Sequence, residues 1–290
     1  LKPKLTYDYS LCRYLVVEGF PIGINRVLRK TSFRIDTIII KMLRTASEVG
    51  IYYGAYRIIL VLQFIPRNIV ESLFPTFSRL AAESRESLGM IYEKSFRFLF
   101  VIVVPLVTFL FSFSHLFILI VLGDAFLEAV PALQIFSFVW GILFFNVLHN
   151  QLLNASNRQV FATKAVTVCL FINIVLDLVL VYYYGYLGAV IATLIAEVCL
   201  FATAYYFLAS HVSSIPWGKV VLKPLLAVAP MVVILFFCET GSLVMVSLGG
   251  VLGVSVYVVC LFVLKTFEPD EIEFFRKSAL KVWQKVYGLV

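Results

Sequence analysis

Charge is scarce in this sequence. Of 290 residues only 14% are Asp, Glu, Lys or Arg, whereas a soluble domain carries about a quarter. So few polar groups cannot cover a globular surface, and a soluble globular protein is excluded. Cysteine is scarce too: the five, Cys12, Cys169, Cys199, Cys238 and Cys260, show no CxxC spacing. That excludes a disulfide scaffold and leaves no thiol motif. His115, His149 and His211 are scattered with no acid pair at ligand spacing, so no metal site is expected. A nucleophile elbow, a P-loop and a dinucleotide fingerprint are all missing.

What the chain has is apolar surface: 61% hydrophobic and 16% aromatic residues, with a mean hydropathy of +0.97. Such a composition excludes disorder and makes lipid the solvent. The net charge is +7. In so apolar a chain, Lys and Arg belong in cytoplasmic loops and near anionic headgroups, so anionic membrane lipids are expected partners and nucleic acid is not. The first residues, from Leu1, lack a signal-peptide layout. Without an initial methionine, the chain is expected to be a piece of a longer protein.

Backbone polar groups in lipid must be satisfied within each segment, so runs of roughly 20 apolar residues read as spanning helices. Clear runs cover 98–122, 132–153, 160–184, 187–209, 220–238 and 243–264, and two charge-interrupted runs cover 14–43 and 50–77. The expected fold is all-α, a polytopic bundle of about eight transmembrane helices. With both ends cytoplasmic, sixteen Lys and Arg fall in the inner segments and two, Lys41 and Arg44, in the outer loops. This asymmetry supports an even count and a multi-pass protein of the plasma (inner) membrane. Pro66, Pro75, Pro105 and Pro131 fall inside or at the ends of spans, where kinks are tolerated. Beyond Leu264, Ile272, Phe275, Ala279, Val282, Trp283 and Val286 recur at helical spacing opposite Arg276, Lys277, Lys281 and Lys285. The pattern predicts an amphipathic helix on the inner leaflet.

The first two spans carry charge where lipid should be. On a helical wheel Arg26, Arg29, Lys30 and Arg34 gather on one half of the first, and Arg57 and Arg67 on one arc of the second. Each such cation costs at least about 3 kcal/mol at bilayer depth. They therefore call for water, an anionic ligand or acid partners, of which these spans offer Asp36 and Glu71. Guanidinium forks match phosphate oxygens, so the six bases are candidate contacts for a phosphate or pyrophosphate headgroup. Asn173 and Asp177 lie four apart on one span, and Thr193 and Glu197 four apart on the next, so each pair shares a helix face. Intramembrane carboxyls beside amide or hydroxyl oxygens can carry a proton or ligate sodium, which makes Glu197, Asp177 and Asn173 candidates for ion coupling. An acid that merely binds a neighbouring helix is the competing reading. No other cofactor is expected.

Several strings occur together in order: Ala46-Ser-Glu-Val-Gly-Ile-Tyr-Tyr-Gly-Ala-Tyr-Arg57, Leu73-Phe-Pro-Thr-Phe-Ser-Arg-Leu80, Gly123-Asp-Ala-Phe126, Leu153-Asn-Ala-Ser-Asn-Arg158 and Tyr184-Gly-Tyr-Leu-Gly-Ala-Val-Ile-Ala-Thr193. Over about Phe20 to Ala209 their order resembles the carboxy-terminal part of polysaccharide flippases of the multidrug/oligosaccharidyl-lipid/polysaccharide (MOP) superfamily. The resemblance implies a two-lobed transporter of twelve to fourteen helices that works by alternating access. It also implies a polyprenyl-pyrophosphate-linked oligosaccharide as substrate and a missing N-terminal lobe as partner. Residues 1–210 would form the six-helix C-terminal lobe, 211–264 two additional helices, and 265–290 a cytoplasmic tail. Flipping needs no covalent step, so no enzyme is expected, and either H+ or Na+ could drive it. Two alternatives are a multidrug-type exporter, whose cationic cargo calls for an acidic cavity, and a membrane-embedded glycosyltransferase or polymerase, which calls for a sizeable polar loop.

Overall fold

The computed structural model describes residues 9–238 and 243–266. The expected amphipathic tail lies outside these residues, apart from Lys265 and Thr266. All regular structure among the described residues is helical. The helices are α1 (Tyr9–Leu43), α2 (Ala46–Leu62), α3 (Phe64–Glu83), α4 (Arg85–Ser112) and α5 (Ser114–Leu122). A 3-10 segment, Asp124–Ala129, leads into α6 (Val130–Ala155), α7 (Gln159–Tyr184) and α8 (Tyr186–His211), and the short α9 (Trp217–Val220) precedes α10 (Leu222–Cys238) and α11 (Leu243–Val263). Six spans are long and apolar enough to cross a membrane; α10 is shorter but equally apolar. α1, with 35 residues, has the length but carries the charges noted above. The protein is thus an all-α, multi-pass membrane protein.

The described chain divides into two compact units, one holding the residues up to Leu99 with Phe113–Ile215, the other Phe100–Ser112 with the residues from Pro216 on. In the first unit α7 packs along α8 and α1, and α6 packs against α8, α3 and α2. Tyr52, Tyr92, Phe77, Phe96, Phe136 and Phe144 fill its interior. α7 and α8 each have 26 residues, about 39 Å of helix, enough to cross a hydrocarbon layer of about 30 Å. The exposed run Tyr182, Tyr183 and Tyr184 ends α7 as an interfacial aromatic belt.

Local chemistry fixes the turns. α2 and α3 form one charge-interrupted span that breaks at Gln63, because Pro66 has no N–H for the Leu62 carbonyl. Gly185 (φ 60°) joins α7 to α8 in a single residue. A Cβ on it would run into the Glu48 carboxylate, and one on Gly188 into the Leu180 carbonyl, so this turn admits only glycine at both positions. The α1–α2 corner clasps the same turn. Arg44 donates from Nε to the Val181 carbonyl (3.0 Å) and from Nη2 to that of Tyr182 (2.6 Å), while Glu48 accepts from the Tyr186 N–H (3.0 Å). A cation thus closes the C-terminus of α7 and a carboxylate the N-terminus of α8.

In the second unit α10 packs along α11. Pro105 deprives the Val101 carbonyl of its helical partner, and the Tyr257 hydroxyl of α11 donates to that carbonyl instead (2.9 Å). Lys223 caps the end of α11 by donating to the Lys265 carbonyl (2.7 Å).

Candidate functional site

Arg26, Lys30 and Arg34 follow one another at four-residue spacing along the exposed side of α1, and Arg57 is exposed on α2 one turn after Tyr53. Among the described residues none of these four cations has an ion pair or hydrogen bond. Counted from the α1–α2 corner at Thr45, Arg34 and Arg57 both lie about 17 Å along their helices, roughly half the thickness of a hydrocarbon layer, and Arg26 lies about 29 Å away, roughly its full thickness. On insertion scales four uncompensated cations at such depths cost on the order of 10 kcal/mol. That cost is avoided only where water or an anion meets this face.

The other two bases are differently placed. Arg67 pairs with Glu71 at 2.9 Å, both exposed. Arg29 turns inward: its Nε donates to the Asn25 amide oxygen (3.2 Å) and its charge faces Glu197 of α8. Glu197, 9% exposed, accepts a 2.6 Å hydrogen bond from the Asn146 amide of α6, which also reaches the Glu197 backbone carbonyl (3.1 Å).

Asp36 does not pair with any of these bases. Its Oδ2 accepts from the Tyr52 hydroxyl (2.6 Å) and from the Thr193 hydroxyl (2.9 Å). Asn173 and Asp177 of α7 lie beside it. The Asp177 carboxyl abuts that of Asp36, and among the described residues no basic side chain pairs with either. Two fully buried carboxyls side by side with no basic partner cannot both be charged and bare. A shared proton or a monovalent cation would halve their joint charge, leaving one negative charge to the Tyr52 and Thr193 hydroxyls, and oxygens of carboxylate, amide and hydroxyl type are the donors a hard ion takes. Among the described residues no group of three His, Cys, Asp or Glu forms a transition-metal site.

α8 therefore splits its predicted pair: Thr193 joins Asp36 and Glu197 joins Asn146. Tyr56 stands between, packed on Tyr52 (ring centroids 6.2 Å) and Phe136 (5.9 Å), and within electrostatic reach of both Asp36 and Glu197. Asp36, Tyr52 and Asn146 escape detection as members of these clusters from the sequence, since their partners sit on distant helices and leave no spacing signal.

A family model described as polysaccharide biosynthesis protein matches residues 1–131. An uncharacterized membrane protein of Methanocaldococcus jannaschii is 24% identical over 278 residues, which cover 94% of this chain and 55% of that protein. The probable low-salt glycan biosynthesis flippase of Haloferax volcanii is 24% identical over 179 residues, covering 61% of this chain and 38% of the flippase. The chain thus spans about half or less of the curated relatives it matches. Two solved structures share the fold at 18% identity, each match covering 85% of this chain and 63% of the other. One is a MOP superfamily transporter from Pyrococcus furiosus described by the reverse polarity of its binding pocket (TM-score 0.57), the other a MATE transporter in the bent conformation (TM-score 0.58). The family model covers less than half of this chain, and the two solved structures show that it shares their fold.

Proposed function

We propose that the chain supplies one lobe, with two accompanying helices, of a flippase that moves a polyprenyl-pyrophosphate-linked oligosaccharide from the inner to the outer leaflet for cell-surface polysaccharide biosynthesis. The observation that carries this reading is the row of unpartnered cations at membrane depth, Arg26, Lys30, Arg34 and Arg57. A pyrophosphate cannot cross hydrocarbon unshielded, and guanidinium forks on the cavity wall replace its hydration. Arg67, held by Glu71, adds a contact at the rim. Arg29 belongs to the same cationic half of α1 but serves mainly to balance Glu197. The second lobe closes the cavity, and rocking of the two exposes the headgroup to each leaflet in turn without a covalent step.

Downhill entry of H+ or Na+ drives the cycle through Asp36, Asn173 and Asp177, with Thr193 as a further oxygen donor. Glu197, already engaged by Asn146 and Arg29, couples that site to the basic face and is the weaker ion ligand. The bias of Lys and Arg supports a topology with both ends and the Arg158 loop on the cytoplasmic side of the plasma membrane, among anionic lipids.

A multidrug-type exporter of cations fits less well. The intramembrane acids Asp36, Asp177 and Glu197 are buried inside the lobe, and the exposed face of α1 and α2 is basic. A glycosyltransferase or polymerase would need catalytic acids or His on a long polar loop, and among the described residues no such loop joins the helices.

The complete protein with Arg26, Lys30 and Arg34 all changed to Ala should express normally and fail to complement a strain lacking its polysaccharide flippase. Normal complementation by the triple variant would remove the basic face as the headgroup site.

A further inference from the structure

A second group of basic side chains sits at the end of the first unit opposite the Gly185 turn. Here α3 and α6 end, α4 and α7 begin, and α8 ends, and between them lies a cavity of about 510 Å3. Its ionisable lining is Arg85, Arg158 and His211, with Ser78, Asn154, Ser156 and Asn157 as further polar groups and no Asp or Glu. The volume falls within the range of about 300–1,000 Å3 typical of small-molecule sites.

The lining is held in place by contacts that leave its donors free. Asn157 (φ 55°) ends α6 in a left-handed turn in which the Arg158 N–H donates back to the Leu153 carbonyl (2.8 Å). The Arg158 guanidinium lies over the Phe161 ring, 5.9 Å from its centroid, and has no hydrogen-bond or ion-pair partner among the described residues. The same ring packs against the His211 imidazole, centroids 5.5 Å apart. His211 Nδ1 is within 2.8 Å of the Phe207 carbonyl, so Nε2 is the ring nitrogen left for a ligand. Arg85 uses Nε and Nη2 on the Val212 (3.0 Å) and Ser210 (3.2 Å) carbonyls, and Nη1 remains uncommitted. One aromatic ring and three backbone carbonyls thus orient two guanidinium groups and an imidazole around a space without a counter-charge.

We propose that this cavity binds a phosphate-bearing group, a phosphate or pyrophosphate ester, at a site separate from the basic face of α1 and α2. Arg158 supplies the bidentate fork, Arg85 supplies a single donor, the His211 imidazole supplies another from Nε2 in its protonated form, and the Asn154 and Asn157 amides complete the set. The site does not depend on the transport reading, since its residues come from other elements. Its phosphate can come from a lipid headgroup or from a soluble ester.

The full-length protein would be titrated with inorganic pyrophosphate by calorimetry in detergent. In parallel, phosphatidylglycerol retention would be measured by native mass spectrometry after release from phosphatidylcholine/phosphatidylglycerol nanodiscs. Arg158→Gln and His211→Gln would be compared with the parent, and Arg158→Lys would serve as partial rescue. Arg85 stays unchanged because it also closes the end of α8. Saturable pyrophosphate binding that falls about tenfold or more in Arg158→Gln supports the site with a soluble ester as source. Retention of phosphatidylglycerol that Arg158→Gln abolishes, without pyrophosphate binding, supports it with a lipid as source. Folded protein that takes up neither probe, or binding untouched by both Gln variants, overturns the proposal.

Discussion

Arg29 provides the sharpest separation of structural from functional charge. It is one of the six bases on the first two spans, yet it alone turns inward toward Glu197. Removing it leaves a carboxylate that is 9% exposed with only the Asn146 amide as partner. The two charges are beyond direct ion-pair distance, so the loss is the Coulomb energy of a nearby pair. At an effective dielectric of about 20 a pair of charges just beyond 4 Å is worth at most about 4 kcal/mol, and less with distance. Arg29→Ala should therefore lower the midpoint of thermal unfolding by several degrees and reduce yield, read by fluorescence-detected size exclusion across a temperature series. Adding Glu197→Gln removes the orphaned charge and should restore most of the loss, a non-additivity of about 2 kcal/mol. Arg26→Ala and Arg34→Ala, which remove cations without partners, should leave the midpoint unchanged or raise it. If Arg29→Ala is as stable as the parent, or if Arg34→Ala costs as much, this sorting of the basic residues is wrong.

Three further outcomes follow from the packing. Tyr257→Phe strips the Val101 carbonyl of its donor and should cost about 1–2 kcal/mol; Pro105→Ala restores the helical N–H, so the same change in that background should cost almost nothing. Gly185→Ala combines a strained positive φ with a clash at Glu48, breaking the cap on α8, and should destabilise by about 2–3 kcal/mol in a thermal melt of the purified protein. Asp177→Asn supplies an amide donor to the Asp36 carboxyl and should abolish any dependence of transport on an imposed Na+ or H+ gradient while the protein remains folded; gradient-driven transport at the parental rate would exclude the pair as the coupling site.

The spans were legible because lipid leaves a chain few options: apolar length marks them without any tertiary information, whereas the breaks at Gln63 and Phe113 fall inside runs read as continuous. The basic half of α1 was legible for the same reason, since a wheel drawn through Arg26, Lys30 and Arg34 needs only the helical period. Partnership was not legible. Asp36 and Glu71 look equivalent as acids among bases, but Glu71 binds Arg67 one turn away whereas Asp36 faces the interior and meets Tyr52 and Thr193. Thr193 and Glu197 share a face of α8, yet that face meets two neighbours, α1 at one level and α6 at the next. Contacts between distant helices decided each case, and a single sequence carries no period for them.

The central claim is that the basic face of α1 and α2 escorts a pyrophosphate headgroup across the membrane. Its most direct measurement uses the complete protein in liposomes loaded with a fluorescent polyprenyl-pyrophosphate oligosaccharide, whose exposure to an external quencher is followed over time. The account predicts protein-dependent movement that Arg26→Ala, Lys30→Ala and Arg34→Ala together abolish, with folding intact. Movement that persists in the triple variant would contradict it, as would folded protein that moves no cargo under either ion gradient.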